Sequence, residues 1–256
     1  MPRSSPPRSR IPESGARYFP ATFLTGADRV ANATPWRWDV AGHTLAVRLP
    51  HEYRVLSWAP FGGGLRRARL LGNHQVLSGD RAATESPARY LSQVVREMKC
   101  DDGANLIEPT DAVMMMTGAD IRRVQVACAR HGSMIAQAWC TAGCSNALRV
   151  GDPATVEHPT IGTINLIVVV SESLSPPALA EASQLAVEAR VAALFSAGIR
   201  STVSGDLATG TGTDCIIVAS PFSRSGFRYC GKHTQLGELI GRAALQSCTA
   251  ALASSK

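Results

Sequence analysis

Apolar positions recur at helical spacing in three segments of the chain. Two of these segments open on a Ser-Pro pair, Ser86-Pro87 and Ser175-Pro176, which supplies a cap and a first-turn proline. The third begins near Thr234 and continues toward the C-terminus. The three apolar stripes are Leu91, Val94, Val95 and Met98; Leu179, Ala182, Leu185, Ala186, Ala189 and Ala193; and Leu236, Leu239, Ile240, Ala243 and Ala244. This spacing predicts three main helices.

Shorter apolar runs predict strands between these helices. The predicted strands are Thr44–Leu49, Tyr53–Trp58, Ala112–Thr117, Val124–Arg130, Met134–Ala142, Ile164–Ser171, Ile199–Val203 and Cys215–Ala219. Ala112–Thr117 and Ile164–Ser171 are apolar on both faces, as expected for central strands that are covered on both sides. Because strands outnumber helices and often follow one another directly, the pattern predicts an α+β fold. We expect a single domain of mixed or antiparallel sheet, covered by about three main helices.

Composition and charge narrow the class of protein. Among 256 residues, 45% are hydrophobic and 18% charged, which is typical of a globular protein. The net charge is +6, of which 4 − 1 = +3 lies in the first 17 residues and +3 in the rest. The remainder is mildly basic and the chain has only 5% aromatic residues, so we expect no nucleic-acid partner.

The N-terminal residues differ in composition from the rest of the chain. Residues 1–17 are rich in Pro, Ser and Arg and have no apolar run of the kind found in secretory signals. We expect a disordered basic stub at 1–17, followed by one domain over 18–256. The apolar run Ile164–Val170 is too short for a membrane span, so no membrane association is expected.

The seven cysteines are scattered along the chain and show no CxxC spacing. An odd number of cysteines without such spacing indicates thiols rather than disulfides, which favours a cytoplasmic protein. Cys140 and Cys144 lie close in sequence but have no histidine partner, so we predict no metal site.

Five loops rich in Gly, Thr, Asn and Asp carry the candidate chemistry, because such residues let a ligand approach the backbone and offer hydrogen bonds. They span residues 61–64, 141–152, 162–165, 205–214 and 231–238. Taken singly, each loop is also compatible with a simple turn, and Thr209–Asp214 matches neither a P-loop nor a full dinucleotide fingerprint. The sequence contains no GxSxG elbow and no HExxH motif. Composition and spacing alone therefore predict an α+β domain with a polar site lined by Gly and Thr.

The order of five segments is more specific than any of them alone. TAGCSNALRVGD, HPTIGTIN, VEARVAAL, GDLATGTGTD and GKHTQLGELIGRA resemble the successive motifs of the adenosylcobinamide amidohydrolase family. The resemblance covers residues 57–250 and is most specific from Thr141 to Arg242. One departure is Arg190, where we expect the family to have Lys, although the positive charge is kept.

The resemblance implies a reaction. Enzymes of this family hydrolyse the amide that joins aminopropanol to the corrin ring of adenosylcobinamide, giving adenosylcobyric acid for cobalamin salvage. The cobalt corrinoid is then the substrate and the expected small-molecule partner, and no cofactor is predicted; metal dependence and a homo-oligomer are left open. The alternatives are a non-catalytic corrinoid-binding protein and a hydrolase of a different amide.

The resemblance also implies the site residues. His233 and Asp214 are the predicted pair for proton transfer. Backbone amides of Gly210 and Gly212, or Arg149, are candidates to hold the oxyanion, and a covalent route through a threonine hydroxyl is left open. The predicted substrate-binding residues are Gly63, Gly64, Thr141, Asn146, Arg149, Asp152, Asn165, Glu188, Thr209, Thr211, Thr213 and Glu238, with Trp58 and Phe61 as wall residues.

Overall fold

The computed structural model describes residues 34–77, 79–100, 106–154 and 162–255. The predicted stub at 1–17 lies outside these ranges, so the boundary between stub and domain stays a prediction. Among the helices in the described ranges, none combines the length and the hydropathy needed to cross a membrane.

The strands belong to one large sheet and one small ribbon. They are β1 (Arg37–Ala41), β2 (Thr44–Ser57), β3 (Gly64–Gln75), β4 (Ala112–Thr117), β5 (Gln125–His131), β6 (Met134–Ala142), β7 (Ala147–Leu148), β8 (Ile164–Val170), β9 (Gly210–Thr211) and β10 (Cys215–Pro221). The helices are α1 (Arg81–Glu85), α2 (Pro87–Met98), α3 (Pro176–Ser196) and α4 (Gln235–Ser254). The three predicted helices are α2, α3 and α4, and the short α1 was not predicted.

The large sheet has eight strands and mixed directions. Its order is β4-β3-β2-β10-β8-β6-β5, with β1 also paired to β2. The pairs β3–β4 and β8–β10 are parallel, and the other pairs are antiparallel. The small ribbon pairs β7 with β9. The prediction of a single α+β domain with a mixed sheet is therefore confirmed.

Both faces of the sheet are covered: helices pack on one face, and the sheet curls around the other. Asn73 on β3 donates to Thr141 on β6 at 3.0 Å, although three strands separate β3 from β6 in the sheet order. On the convex side, α3 and α4 pack on β6, β8 and β10, while α2 packs on β2, β3 and β4. The concave side encloses a second apolar cluster that includes Trp36 and Trp139.

The predicted strands Thr44–Leu49 and Tyr53–Trp58 form the single strand β2, which has a register shift between Arg48 and Tyr53. Two other strand predictions need correction. The segment Ile199–Val203 forms a turn with an isolated bridge from Arg200 to Leu207, because the Ser201 hydroxyl accepts from the following backbone N–H groups instead of leaving them to a strand partner. Ala112–Thr117 forms β4, which is covered on both faces but ends the strand order and is not central. By contrast, every residue of Ile164–Val170 is buried, and β8 lies between two neighbours as predicted.

The sheet topology selects one edge for the polar loops. Strands β8 and β10 are parallel neighbours, so the residues just before them lie side by side. Their antiparallel neighbours β6 and β2 end at the same edge. Four of the five predicted loops, 61–64, 141–152, 162–165 and 205–214, therefore lie at this edge, where β8 and β10 begin. The exposed side chain of Trp58 lies at the same edge.

Candidate active site

Asp214 lies directly before β10 and is held by three different parts of the fold. Its carboxylate accepts from the backbone N–H of Ile164 at 2.9 Å, from the backbone N–H of Thr211 at 2.8 Å, and from the Thr211 hydroxyl. It also pairs with Arg190 of α3 at 3.1 Å, and the two side chains are only 7% and 10% exposed. These contacts fill the four acceptor positions of a carboxylate. Asp214 therefore ties the start of β8, the Gly/Thr loop and α3 together.

A cavity of about 380 Å³ opens beside this ion pair, and we call it the site cavity. Its lining residues are Trp58, Leu148, Arg149, Val150, Arg190, Thr209, Gly210, Thr211, Gly212 and Asp214. The lining joins residues from the second and fourth predicted loops, which are held together by the β7–β9 ribbon. Trp58 and Val150 are 50% and 80% exposed at its rim, so one wall of the site cavity is apolar and open.

Hydrogen bonds between the loops fix the polar wall of the site cavity. The Trp58 indole donates to the carbonyl of Asp214 at 2.8 Å, and the backbone N–H of Val150 donates to the Thr209 hydroxyl at 2.8 Å. The Arg149 guanidinium donates to the Leu207 carbonyl at 2.9 Å. These bonds leave the wall side chains in defined positions, as ligand binding requires.

The predicted residue Asp152 supports the loop from behind. Its carboxylate accepts from the Ser201 hydroxyl and from the backbone N–H of Arg149 at 2.8 Å. The Ser201 hydroxyl is the main cause that lowers the pKa of Asp152, and the Arg149 N–H adds to it. Asp152 does not line the site cavity, so the structure places it as a support for Arg149.

Three other predicted residues, the buried Thr141 and Asn165 and the exposed Thr213, make polar contacts near the beginning of β8 and β10 without lining the site cavity. Thr141 and Asn165 are buried and both bond to Asn73, and Asn165 also accepts from the backbone N–H of Cys215 at 3.1 Å. The Thr213 hydroxyl bonds to that of Thr163 at 2.8 Å. These residues hold β3, β6, β8 and β10 together, and their polar groups face one another.

Asn146 differs from these residues because one of its polar atoms has no partner. The side chain is 6% exposed, and its Oδ1 makes no hydrogen bond in the described structure. Its Nδ2 lies 3.7 Å from the position that a Cβ on Gly212 would take. Its Oδ1 faces Gly162, and Asn146 does not line the site cavity, so this unpartnered acceptor is a buried polar group beside the cavity.

The remaining predicted residues lie elsewhere. On α3, Glu188 pairs with Lys232, and this bond is the main cause that lowers the pKa of Glu188. In the first turn of α4, Glu238 bonds to Gln235 and Arg242, each at 3.0 Å. Gly63 and Gly64 form the turn between β2 and β3, where Gly64 has a φ of 96° that favours glycine. The wall candidate Phe61 instead forms a bridge with Met114. None of these residues lines the site cavity.

His233 is exposed in the loop that leads into α4. That loop is bound to α3 by the Lys232–Glu188 ion pair and by a bond from the backbone N–H of Cys230 to Glu181. The helix α3 thus anchors the loop of His233 through Glu188 and Glu181, and Asp214 through Arg190. The paired role of His233 and Asp214 stays a prediction.

The role of Arg190 was not predicted from the sequence. The signal was present, since this residue is a charge on the buried stripe of α3, 9% exposed among Ala186, Ala189 and Ala193. A buried arginine requires a carboxylate partner, but the sequence does not show which carboxylate comes near.

A second cavity of about 530 Å³ lies between β1, β2 and α2, and no predicted site residue lines it. There His74 bonds through its two ring nitrogens to Thr44 at 2.7 Å and to Tyr90 at 3.1 Å. Burial lowers the pKa of His74, with a smaller effect from His43. Thr44 and His74 are direct partners across β2 and β3, so this chain of bonds fastens α2 to the sheet.

Three buried or half-buried thiols, those of Cys144, Cys215 and Cys230, are held in the protonated form. Burial raises the pKa of Cys144 to about 11, and burial raises the pKa of Cys215 and of Cys230 to about 12. A thiol is a weak nucleophile compared with its thiolate. Within the described ranges, no group of three or more His, Cys, Asp or Glu side chains is placed to hold a metal ion.

We therefore expect single Cys→Ser variants at Cys144, Cys215 and Cys230 to keep turnover within about tenfold of wild type, since none supplies a thiolate at neutral pH. Turnover is measured beside a melting curve, because Ser at the buried positions also changes packing. A variant that melts like wild type but has lost turnover would instead identify a thiol nucleophile.

The fold and the site cavity define an α+β domain with a partly apolar, partly polar cavity. Residues 32–256 match the family model described as adenosylcobinamide amidohydrolase, and the chain belongs to this family. It is similar to an uncharacterized protein of Methanocaldococcus jannaschii, with 30% identity over 228 residues, covering 82% of this chain and 85% of the relative. The crystal structure of the PH0078 protein from Pyrococcus horikoshii is also similar to this chain, with 11% identity and a TM-score of 0.44. The alignment covers 91% of this chain and 88% of the Pyrococcus chain.

Proposed function

We propose that the protein hydrolyses the amide bond between aminopropanol and the corrin ring of adenosylcobinamide, giving adenosylcobyric acid. The observation that carries this proposal is the site cavity, because loops of the family-specific segments build it. Residues 147–150 and 209–214, which belong to two of those segments, supply most of its lining. The chain belongs to a family whose name describes an amide hydrolase, and its family-specific loops meet at one cavity. Both observations support the proposed reaction.

The lining suits an edge of a corrinoid. Such a ligand has an apolar ring and amide side chains, so it requires an apolar surface beside neutral donors and acceptors. Trp58 and Val150 supply exposed apolar surface, and Thr209 supplies a hydroxyl. The site cavity is open to solvent, so a large ligand can extend beyond it.

In the proposed mechanism, water attacks the amide carbonyl carbon and the C–N bond breaks. The water proton passes to the imidazole of His233 and then to the nitrogen of the departing aminopropanol. The water oxygen, with its second proton, becomes part of the new carboxylic acid; this acid ionises at neutral pH, and the released amine takes up that proton. Backbone N–H groups of the Gly210–Gly212 loop are the candidates to stabilise the oxyanion, and Asp214 fixes that loop through the N–H of Thr211.

The direct test is to incubate purified protein with adenosylcobinamide and to follow the products by mass spectrometry. We expect equal amounts of adenosylcobyric acid and aminopropanol. A corrinoid that binds but stays intact would instead support the non-catalytic binding protein. Turnover of other amides in a panel, with adenosylcobinamide unchanged, would support a hydrolase of a different amide.

A matched pair of glycine variants tests whether the site cavity binds the corrinoid. A Cβ on Gly212 would meet nothing closer than 3.7 Å, so we expect Gly212→Ala to melt like wild type. The added methyl group occupies the site cavity, so corrinoid affinity should fall by about tenfold, the scale of an ill-placed methyl in a ligand pocket. Unchanged affinity would place the corrinoid elsewhere.

The control is Gly210→Ala, in which the new Cβ would overlap the Asp214 carboxylate and crowd Arg190. We expect this variant to lose about 1–3 kcal/mol of the free energy of unfolding, the usual cost of overpacking. Comparing the two variants separates loss of ligand space from loss of structure.

A further inference from the structure

A third cavity, of about 440 Å³, lies on another part of the surface and has a strongly basic lining. We call it the arginine cavity. It lies between β2, the start of α3 and the loop after β10, and it shares no lining residue with the site cavity. Its lining is formed by Arg54, Arg224 and Arg228, three serines, Pro176 and Gly226, with no carboxylate among them.

Within the part of the chain that the structure describes, no acidic side chain forms an ion pair with any of the three arginines. Glu172 lines an adjoining hollow rather than this one, and the Ser171 hydroxyl donates to it at 3.3 Å. Three guanidinium groups around one cavity therefore create a positive potential that favours an anion.

Arg54 is held in place by neutral groups. It donates to the carbonyl of Leu174, and its guanidinium lies 5.1 Å from the ring centre of Phe222. Arg67 stacks on the same ring at 3.7 Å and pairs with Glu52. Since these contacts leave the charge of Arg54 uncompensated, the cavity has one rigid cation beside the exposed Arg224 and Arg228.

The serines add neutral donors at the same place. Ser175 caps α3 by accepting from the backbone N–H of Ala178, while Ser223 and Ser225 lie in the loop after β10. The first turn of α3 contains no acidic residue, so its positive end adds to the potential. Pro176 has no backbone N–H, so it adds no donor of its own to this lining.

We propose that the arginine cavity binds a phosphate group. Guanidinium groups match phosphate oxygens with paired hydrogen bonds, and serine hydroxyls complete such sites. Three arginines exceed what a monocarboxylate neutralises, whereas a phosphate monoester carries a charge of about −1.5 to −2 at neutral pH. The volume of about 440 Å³ lies in the range of small-molecule sites, so a group esterified to the phosphate has room beside it.

The test titrates the full-length protein with inorganic phosphate and with adenosine monophosphate, using isothermal calorimetry. The variant is Arg224→Gln with Arg228→Gln, which spares the packed Arg54. The matched control is Arg37→Gln with Arg89→Gln, which removes the same charge from two exposed arginines outside this cavity. We expect the variant to bind phosphate about tenfold or more weakly and the control to bind as wild type, because two charge-assisted donors are lost only in the variant.

The two ligands distinguish the source of the phosphate. Similar affinity for both would show a site for the phosphate group alone, and tighter binding of the nucleotide would show a site for a phosphate monoester. Equal weakening in variant and control, or no binding of either ligand by the wild type, would overturn the proposal. Hydrolysis of adenosylcobinamide is measured in parallel. Because the site cavity and the arginine cavity share no lining residue, failure of the proposed hydrolysis and failure of phosphate binding can be distinguished.

Discussion

Asp214→Asn is expected to lower the free energy of unfolding by about 3–5 kcal/mol, because it leaves Arg190 as a buried cation without a counter-charge. The carboxylate also fixes the Gly/Thr loop through the backbone N–H and hydroxyl of Thr211, so loop order should weaken as well. Turnover per folded molecule should fall for the same reason. Chemical denaturation gives the stability, and turnover is measured at saturating corrinoid.

A second substitution separates the two roles of this carboxylate. Adding Arg190→Met to Asp214→Asn removes the uncompensated charge, and replacing a buried pair with neutral side chains of similar size is often tolerated. We expect the double variant to regain most of the stability but not the turnover, because the loop still lacks its carboxylate. An Asp214→Asn protein as stable as wild type, with turnover reduced by about 10²–10⁴, would instead support a direct role in proton transfer.

His233→Ala is expected to reduce turnover by about 10²–10⁴, the usual contribution of a general acid–base group. The side chain is exposed, so the melting temperature and corrinoid binding should stay near wild type. His131→Ala is the matched control, since His131 is also exposed and lies at the end of β5. If His233→Ala turns over like the control, the proton carrier is another group.

Combining His233→Ala with Asp214→Asn tests the predicted pair. If the carboxylate orients the imidazole, the double variant should cost much less than the product of the single effects, because groups that act as a unit are not additive. If Asp214 acts only through its loop, the two effects should multiply. A ligand-bound structure with the side chains more than about 10 Å apart would also exclude the pair, since a base must reach its partner directly or through one water.

Local hydrophobic patterns predicted the helices and strands in which apolar residues recur at a regular spacing. The Ser-Pro pairs predicted the starts of α2 and α3, and the apolar stripes predicted α2, α3 and α4. Ser175 caps α3 as predicted, whereas the Ser86 side chain makes no cap bond in α2. The strand β3 was missed because its first half, GLRRAR, is charged and partly exposed. In that half the sheet tolerates arginines that face solvent, so hydrophobic periodicity is weak there.

By itself the sequence determined the α+β class, the three main helices and the family, because these depend on local periodicity and on the order of specific segments. Only the tertiary structure decided which polar loops share a cavity. The parallel pairing of β8 and β10 brings Ile164 beside Asp214, and the packing of α3 adds Arg190. The same packing placed Glu188 and Glu238 outside the cavity. Those contacts join residues far apart in the chain, and they are fixed by burial and charge pairing in three dimensions.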